Sequence, residues 1–329
     1  MRAQLLHSYG EKPDFRPADI PKPTVTPDTV LVRVAATSVN PIDLKMRKLR
    51  LAFSPALPAI LGMDMAGTVE AVGDKVTGFK AGDLVYGWPG GAGNMPGCLA
   101  QYVLADPRLI AHKPVKLSFI QAAALPLVTL TAWEALEDRA HVTPGQRVLV
   151  HAGAGGVGHV AVQLAKAFGA HVAATASSPE KARIAESFGA DAVINYRTES
   201  VEEYVQRLTG GAGFDVVFDT VGAKNLDASL AACRARGAVV SINTRSTHDL
   251  SPMHAKGLTL CVVFSLLPLL TGENRERCGE ILAQAARLAD QGKLRPLLAG
   301  PPFPLERVAQ AHDFLDSGKA VGKVVVEIG

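Results

Sequence analysis

From Val148 onward the apolar residues come in short, β-branched runs: VLVHA from Val148, VAATA from Val172, AVIN from Ala192, VVFD from Val216, AVVSIN from Ala238 and LTLCVVF from Leu258. Their starts lie 24, 20, 24, 22 and 20 residues apart. Runs that are apolar throughout, rather than at every second position, predict strands covered on both faces. The intervals leave room for one helix between successive strands, so the pattern predicts an α/β unit with a doubly wound six-stranded parallel sheet. The first of those helices is written in Val157, Val160, Ala161, Leu164, Ala165 and Phe168, which share one helical face. Gly169 follows and is suited to the left-handed conformation that closes a helix.

The N-terminal region reads differently. Short runs (Val30–Val39, Gly67–Val72, Leu84–Gly87) are broken by Pro and Gly, as at Gly73-Asp74-Lys75 and Gly82-Asp83. Short strands with frequent turn signals predict a mostly-β or α+β unit. Near the other end, Leu305–Leu315 predicts a helix and Lys323–Ile328 a last strand.

Composition adds bounds. A chain of 329 residues and 34.6 kDa exceeds what one core usually supports, so two domains are expected. With 48% apolar and 20% charged residues the chain is globular, and a formal charge of +3 gives no footprint for nucleic acid. The tightest basic cluster, Lys45, Arg47, Lys48 and Arg50, reads as a solvated face. Leu258–Leu270 is too short to span a membrane and contains Pro268. No secretory leader is expected at the N-terminus. Cys98, Cys233, Cys261 and Cys278 are far apart and unpaired in spacing, which argues against a disulfide framework or a zinc lobe and for a cytoplasmic protein.

Residues 153–158 read Gly-Ala-Gly-Gly-Val-Gly, placing Gly153, Gly155 and Gly158 in G-x-G-x-x-G between the strand VLVHA and the amphipathic helix. The motif alone is weak, because the chain has 31 glycines. In this context it predicts a dinucleotide site: a tight turn, backbone close to the pyrophosphate, and a helix N-terminus facing the phosphates. An NAD site places Asp or Glu about 20 residues further on, at the tip of the next strand. Here that tip reads Ala176-Ser177-Ser178-Pro179-Glu180-Lys181. Two hydroxyls and a cation suit a 2′-phosphate, which a carboxylate would repel, so NADP(H) is expected; alone, Lys181 would read as an exposed helix lysine.

These segments resemble the zinc-independent quinone oxidoreductase (ζ-crystallin-like) branch of the medium-chain dehydrogenase/reductase superfamily. The resemblance is carried by VNPIDLKMR (39–47), ILGMDMAGTVEAVG (60–73), GDLVYG (82–87), LTAWEAL (130–136), GAGGVGHVAVQLAKAFGA (153–170), FDVVFDTVG (214–222) and GKVVVEI (322–328). It implies a GroES-like, mostly-β catalytic domain over residues 1–122, completed by residues 266–329, with a Rossmann NADP-binding domain over 123–265 inserted and the active site in the cleft. It further implies a homodimer joined through Rossmann edge strands, for which Leu258–Phe264 is a suitable edge.

Zinc relatives carry Cys where this chain has Asn40, and Gly-His-Glu where it has Gly62-Met63-Asp64. Amide and thioether in place of thiolate and imidazole leave no zinc site, and the nine histidines, expected mostly at the surface or in caps, form no ligand pair. No metal is expected. Without a Lewis acid to hold an alkoxide, hydride delivery to quinones or to the alkene of α,β-unsaturated carbonyls fits better than alcohol oxidation.

By the same resemblance Asn40, Asp43 and Lys45 lie beside the nicotinamide. Asn40 is suited to bonding the carboxamide or the substrate carbonyl, and Lys45 to polarising the substrate oxygen, especially if desolvated. A plainer reading stays open, with Lys45 in a solvated run and Asp43 as a helix N-cap. The resemblance also places Gly155, Gly156 and Val157 at the pyrophosphate, Ser177, Ser178, Lys181 and Tyr196 around the 2′-phosphate and adenine, and Thr129 at the nicotinamide end. Tyr196 packing against the sheet edge is the alternative. Thr220 and Ile242, at the ends of two strands, are expected to face the cofactor crevice. The loop Trp88–Gly93, rich in Gly and Pro, is expected to form a mobile rim. An enoyl-thioester reductase, and an NADPH-binding protein with little turnover, remain alternatives to the quinone or enone reductase.

Overall fold

The computed structural model describes residues 1–329 and divides them into two units, Met1–Leu127 with Leu266–Gly329, and Val128–Ser265. Along the chain come β1 (Arg2–Leu6), β2 (Phe15–Asp19), β3 (Val30–Val39), α1 (Pro41–Leu49), β4 (Ala59–Ile60), β5 (Met65–Val72), β6 (Leu84–Gly87), β7 (Tyr102–Ala105), β8 (Ile110–His112), α2 (Phe119–Ala123) and α3 (Pro126–Trp133). Next are β9 (Arg147–Val150), α4 (Gly158–Ala167), β10 (His171–Ala176), α5 (Pro179–Ser187), β11 (Ala192–Asn195), α6 (Val201–Thr209), β12 (Phe214–Asp219), α7 (Asn225–Ala232), β13 (Cys233–Ser241), α8 (Ser251–Lys256) and β14 (Thr259–Val262). The chain closes with α9 (Leu267–Thr271), α10 (Arg275–Asp290), β15 (Phe303–Pro304), α11 (Val308–Asp316) and β16 (Val324–Glu327).

In the unit built from both chain ends, β15-β16-β3-β5-β6-β8 form a mixed sheet with β7 also on β3, while β2-β1-β4 form a small antiparallel sheet. Val30, Val32 and Val34 of β3 pack with Val69, Val85 and Val326 in its core. β16 runs antiparallel to β3 with Val324 opposite Val39, which brings Lys323 beside Asn40.

The middle unit holds six parallel strands in the order β11-β10-β9-β12-β13-β14. All six predicted runs are strands. The largest departure is β13, which starts five residues before its run, at Cys233, where the pairing with β12 shifts register and Arg236 takes φ 60°. Helix α4 ends as expected, with Gly169 at φ +86°. The strand order reverses between β9 and β12, so the turns after these two strands flank the crevice where doubly wound sheets take their ligands.

Two sequence expectations are corrected by packing. Arg47 is not on a solvated face: it is fully buried, with Nη1 donating to the Gly10 and Glu11 carbonyls. Of the nine histidines, His151, His159 and His312 are buried in the core and the other six are exposed or half-buried, in keeping with the expectation for most of them. The Trp88–Gly93 stretch is no mobile rim, because Trp88 is wholly buried and a Cβ on Gly90 would lie 2.1 Å from the Pro96 carbonyl oxygen. Only Asn94 and Pro96 near its tip are exposed.

The buried histidines make stability pH-dependent. Burial, reinforced by the Arg47 charge, lowers His312 to about 3, and burial lowers His151 to about 4 against the opposing pull of Asp219. Between these values and 6.5 the unfolded chain binds protons that the folded chain does not, so stability is full above pH 6.5 and falls as pH drops. Asp43, raised to about 7 chiefly by burial, has the opposite slope and offsets part of the loss. Each histidine contributes roughly 2 kcal/mol to the difference between pH 8 and pH 5. In urea unfolding at the two pH values, His312→Gln is expected to shrink that difference; an unchanged difference would clear His312 of the effect.

Candidate active site

Pro41 starts α1 and leaves Asn40 as its N-cap. Asp43, at the third helical position, is not the N-cap but answers it: its Oδ2 accepts the Asn40 backbone N–H at 2.8 Å. The Asn40 side chain turns instead to Asp64, donating from Nδ2 to Oδ2 at 2.8 Å. Ser38 Oγ donates to the same oxygen at 2.5 Å, and the Leu127 N–H to Asp64 Oδ1 at 2.7 Å. Lys323, 3% exposed, donates to Asn40 Oδ1 and lies 3.3 Å from Asp64 Oδ2. A carboxylate without exposure would be costly alone; an ammonium, an amide, a hydroxyl and a backbone donor compensate it.

The second carboxylate is less well served. Asp43 is buried, its Oδ1 has no partner, and desolvation aided by the Asp64 charge holds its carboxyl up at about 7. Asn40 has both amide ends engaged and 1% of its surface exposed. Lys45, one turn into α1, is exposed and makes no hydrogen bond or ion pair. Asn40 is thus held between the two members of a buried salt bridge, Lys323 and Asp64. No three of its His, Cys, Asp and Glu side chains converge as metal ligands.

In the middle unit, the turn after β9 is fixed from below. Thr175 of β10 accepts the Gly153 N–H at its carbonyl and the Ala152 N–H at its hydroxyl. A Cβ on Gly153 would lie 2.6 Å from Ala174 Cβ, and one on Gly158 2.0 Å from the Ala152 carbonyl oxygen. These two glycines permit the close helix–strand approach, whereas Gly155, Gly156 and Val157 remain half-buried at the α4 N-terminus. The N–H groups of Gly156 and Val157 have no acceptor within the chain, leaving them free for an anion.

The rim of the crevice follows from strand register. Ala176 pairs with Asn195, so Ser177 and Tyr196 emerge next to each other at the ends of β10 and β11. Ser177 is half-buried and Tyr196 is 54% exposed, so it does not pack into the sheet edge. Ser178 caps α5 by accepting the Lys181 N–H at 3.3 Å, and Lys181 itself is half-buried. Across the strand reversal, Thr220 Oγ1 donates to the His151 carbonyl at 2.6 Å, tying the end of β12 to the turn after β9. Ile242, half-buried after β13, donates its N–H to Asp219 O. Thr129, inside α3, is buried with its hydroxyl unpartnered.

Sequence reasoning missed Ser38, the role of Asp64, and Lys323. A lysine heading the otherwise apolar run KVVVEI was the available signal: a buried strand has no place for a charge without a partner.

Residues 26–115 match the alcohol dehydrogenase GroES-like domain family, and residues 156–281 the zinc-binding dehydrogenase family. A quinone oxidoreductase of Homo sapiens is 32% identical over 99% of this chain and 97% of its own. An NADPH-dependent alkenal/one oxidoreductase of Arabidopsis thaliana, a chloroplast protein, is 34% identical over 99% of this chain and 79% of its own. An alcohol dehydrogenase superfamily protein of Novosphingobium aromaticivorans superposes with a TM-score of 0.96 at 40% identity, each chain being fully covered. The matches define an oxidoreductase with a GroES-like and a Rossmann part. Within that class, the chain belongs to the medium-chain dehydrogenase/reductase superfamily, in its zinc-independent branch of quinone oxidoreductases and enone reductases.

Proposed function

We propose that the chain is an NADPH-dependent reductase that transfers hydride, without a metal, to quinones or to the alkene of α,β-unsaturated carbonyls. The observation that carries this reading is the Lys323–Asn40–Asp64 network: Asn40, which stands where zinc relatives carry a Cys, has both amide ends engaged by the other two. The relatives named for quinone and alkenal/one reduction support the substrate class. When bound, NADPH supplies the hydride.

The chain's residues fit that cofactor. The free N–H groups of Gly156 and Val157 suit the pyrophosphate. Ser177, Ser178 and Lys181 offer hydroxyls and a cation to the 2′-phosphate, and the exposed Tyr196 ring offers a face to the adenine. Thr129, with a buried hydroxyl lacking a partner, has a donor in reserve for the nicotinamide end, and Thr220 and Ile242 shape the crevice between. Lys45 is the exposed cation of the first α1 turns and polarises the substrate oxygen in this reading, while Asn40 and Asp43 hold the loop that carries it. The chain also pairs with a second copy through β14, an edge strand whose Val262 and flanking Phe264 are 47% and 38% exposed. Free cysteines at all four positions suit a cytoplasmic setting.

The test follows NADPH oxidation with benzoquinone, phenanthrenequinone, acrolein, hexenal and crotonyl-CoA, then repeats it with NADH. Turnover of quinones or enones with NADPH preferred is expected. Turnover of crotonyl-CoA alone would indicate an enoyl-thioester reductase, and tight NADPH binding without turnover a binding protein. Ser177→Asp with Lys181→Ala places a carboxylate at the β10 tip and removes a cation; the NADPH-over-NADH ratio of kcat/KM is expected to fall about a hundredfold. An unchanged ratio would place 2′-phosphate recognition elsewhere.

A further inference from the structure

Away from the glycine turn, the loop after β13 carries a second arrangement of reactive groups. His248 Nδ1 lies 2.7 Å from Asp227 Oδ1, and His248 Nε2 lies 2.5 Å from Ser246 Oγ. Asp227 comes from the first turn of α7, while Ser246 and His248 are two residues apart in the loop. A carboxylate can only accept, so Nδ1 carries the imidazole proton and Nε2 presents its lone pair to the serine hydroxyl. That is the tautomer a general base needs. The neighbouring Asp249 does not compete, since its Oδ1 is taken by the Ser251 N–H and hydroxyl.

Exposure and backbone donors agree with this reading. The His248 side chain is only 7% exposed, whereas Ser246 is open to solvent. The N–H of Thr247, directly after the serine, has no acceptor within the chain. In serine hydrolases the residue after the nucleophile supplies one oxyanion donor from that position. Asp227 is 61% exposed, so its pull on the imidazole is screened by water and its share is orientation rather than a strong field.

We propose that Ser246, His248 and Asp227 form a second, hydrolytic site that takes small activated acyl esters and works without the dinucleotide. Ser246 Oγ forms a bond to the acyl carbon as its proton passes to His248 Nε2. The ester C–O bond breaks, and the same proton leaves on the departing alcohol. Water then attacks the acyl-serine, His248 again takes and returns the proton, and the carboxylic acid is released. No electrons are exchanged.

The test uses the full chain with p-nitrophenyl acetate as substrate and a fluorophosphonate as a trapping reagent. Labelling at Ser246, located by peptide mass, and ester hydrolysis above the solvent rate are expected. Ser246→Ala should abolish labelling. His248→Gln should slow it about a hundredfold, and Asp227→Asn by a smaller factor, with the far-UV spectrum of each variant unchanged. Labelling of the native chain no faster than that of Ser246→Ala, or label on a different residue, would overturn the proposal. So would an undiminished rate in His248→Gln, since a merely structural histidine leaves the serine's reactivity alone.

Discussion

Gly158→Ala is expected to abolish useful NADPH binding while leaving the unit built from both chain ends folded. The added Cβ would sit 2.0 Å from the Ala152 carbonyl oxygen and 3.1 Å from Gly153 Cα, so the turn itself has to move. It has little freedom to do so. Ala152 already holds a left-handed φ of 51°, and its N–H and that of Gly153 are both pinned by Thr175. Relief therefore comes from pushing α4 off the strand, which withdraws the N–H groups of Gly156 and Val157 from the phosphates. A loss of at least a hundredfold in affinity, about 3 kcal/mol, is expected by NADPH fluorescence titration. Affinity within threefold of the native chain would show that the phosphates do not rest on this turn.

Lys323→Met is the second large effect. The ammonium is the one full positive charge bonded to the Asn40–Asp64 pair, and both it and Asp64 are buried. Removing one partner of a buried ion pair and leaving the other typically costs 3–5 kcal/mol, so a loss of about that size is expected. The carboxylate left behind would be buried without a cation to compensate its lost hydration. Adding Asp64→Asn removes the stranded charge and is expected to restore most of the loss, as read by urea unfolding midpoints of the single and double variants. A single variant within about 1 kcal/mol of the native chain would mean that the pair contributes little. Turnover separates two roles for the network: a purely structural one predicts full recovery in the double variant. A role in holding the α1 loop predicts restored stability with kcat still depressed, because Asn40 Oδ1 then lacks its donor.

Much of the middle unit was legible because its physics is local and repetitive. Continuous apolar runs mark strands covered on both faces, a 3.6-residue stripe marks α4, and the three glycines fall between the two. The unit built from both chain ends was harder to read. Its small antiparallel β1–β2–β4 sheet has strands as brief as Ala59–Ile60, and such elements leave little periodicity. Arg47 was read as solvated because charge is usually a surface signal, and only the carbonyls of Gly10 and Glu11, distant in sequence, explain its burial. Glycine and proline in 88–93 suggested mobility, yet Gly90 is what lets the Pro96 carbonyl pack so closely. Lys323 meets Asn40 only through the β16–β3 register, across nearly the whole chain, and no short-range pattern encodes that meeting.

That register bears on how the protein is made. A ribosome delivers the sequence in order, and the six-stranded sheet has all of its strands by Val262, before β15 and β16 have been synthesised. The middle unit is therefore free to fold during translation. Asp64 is synthesised 259 residues before Lys323, so its charge is balanced only once β16 has followed. A nascent chain that still lacks β16 would display a protease-resistant middle unit and an N-terminal segment whose Asp64 has no ammonium partner.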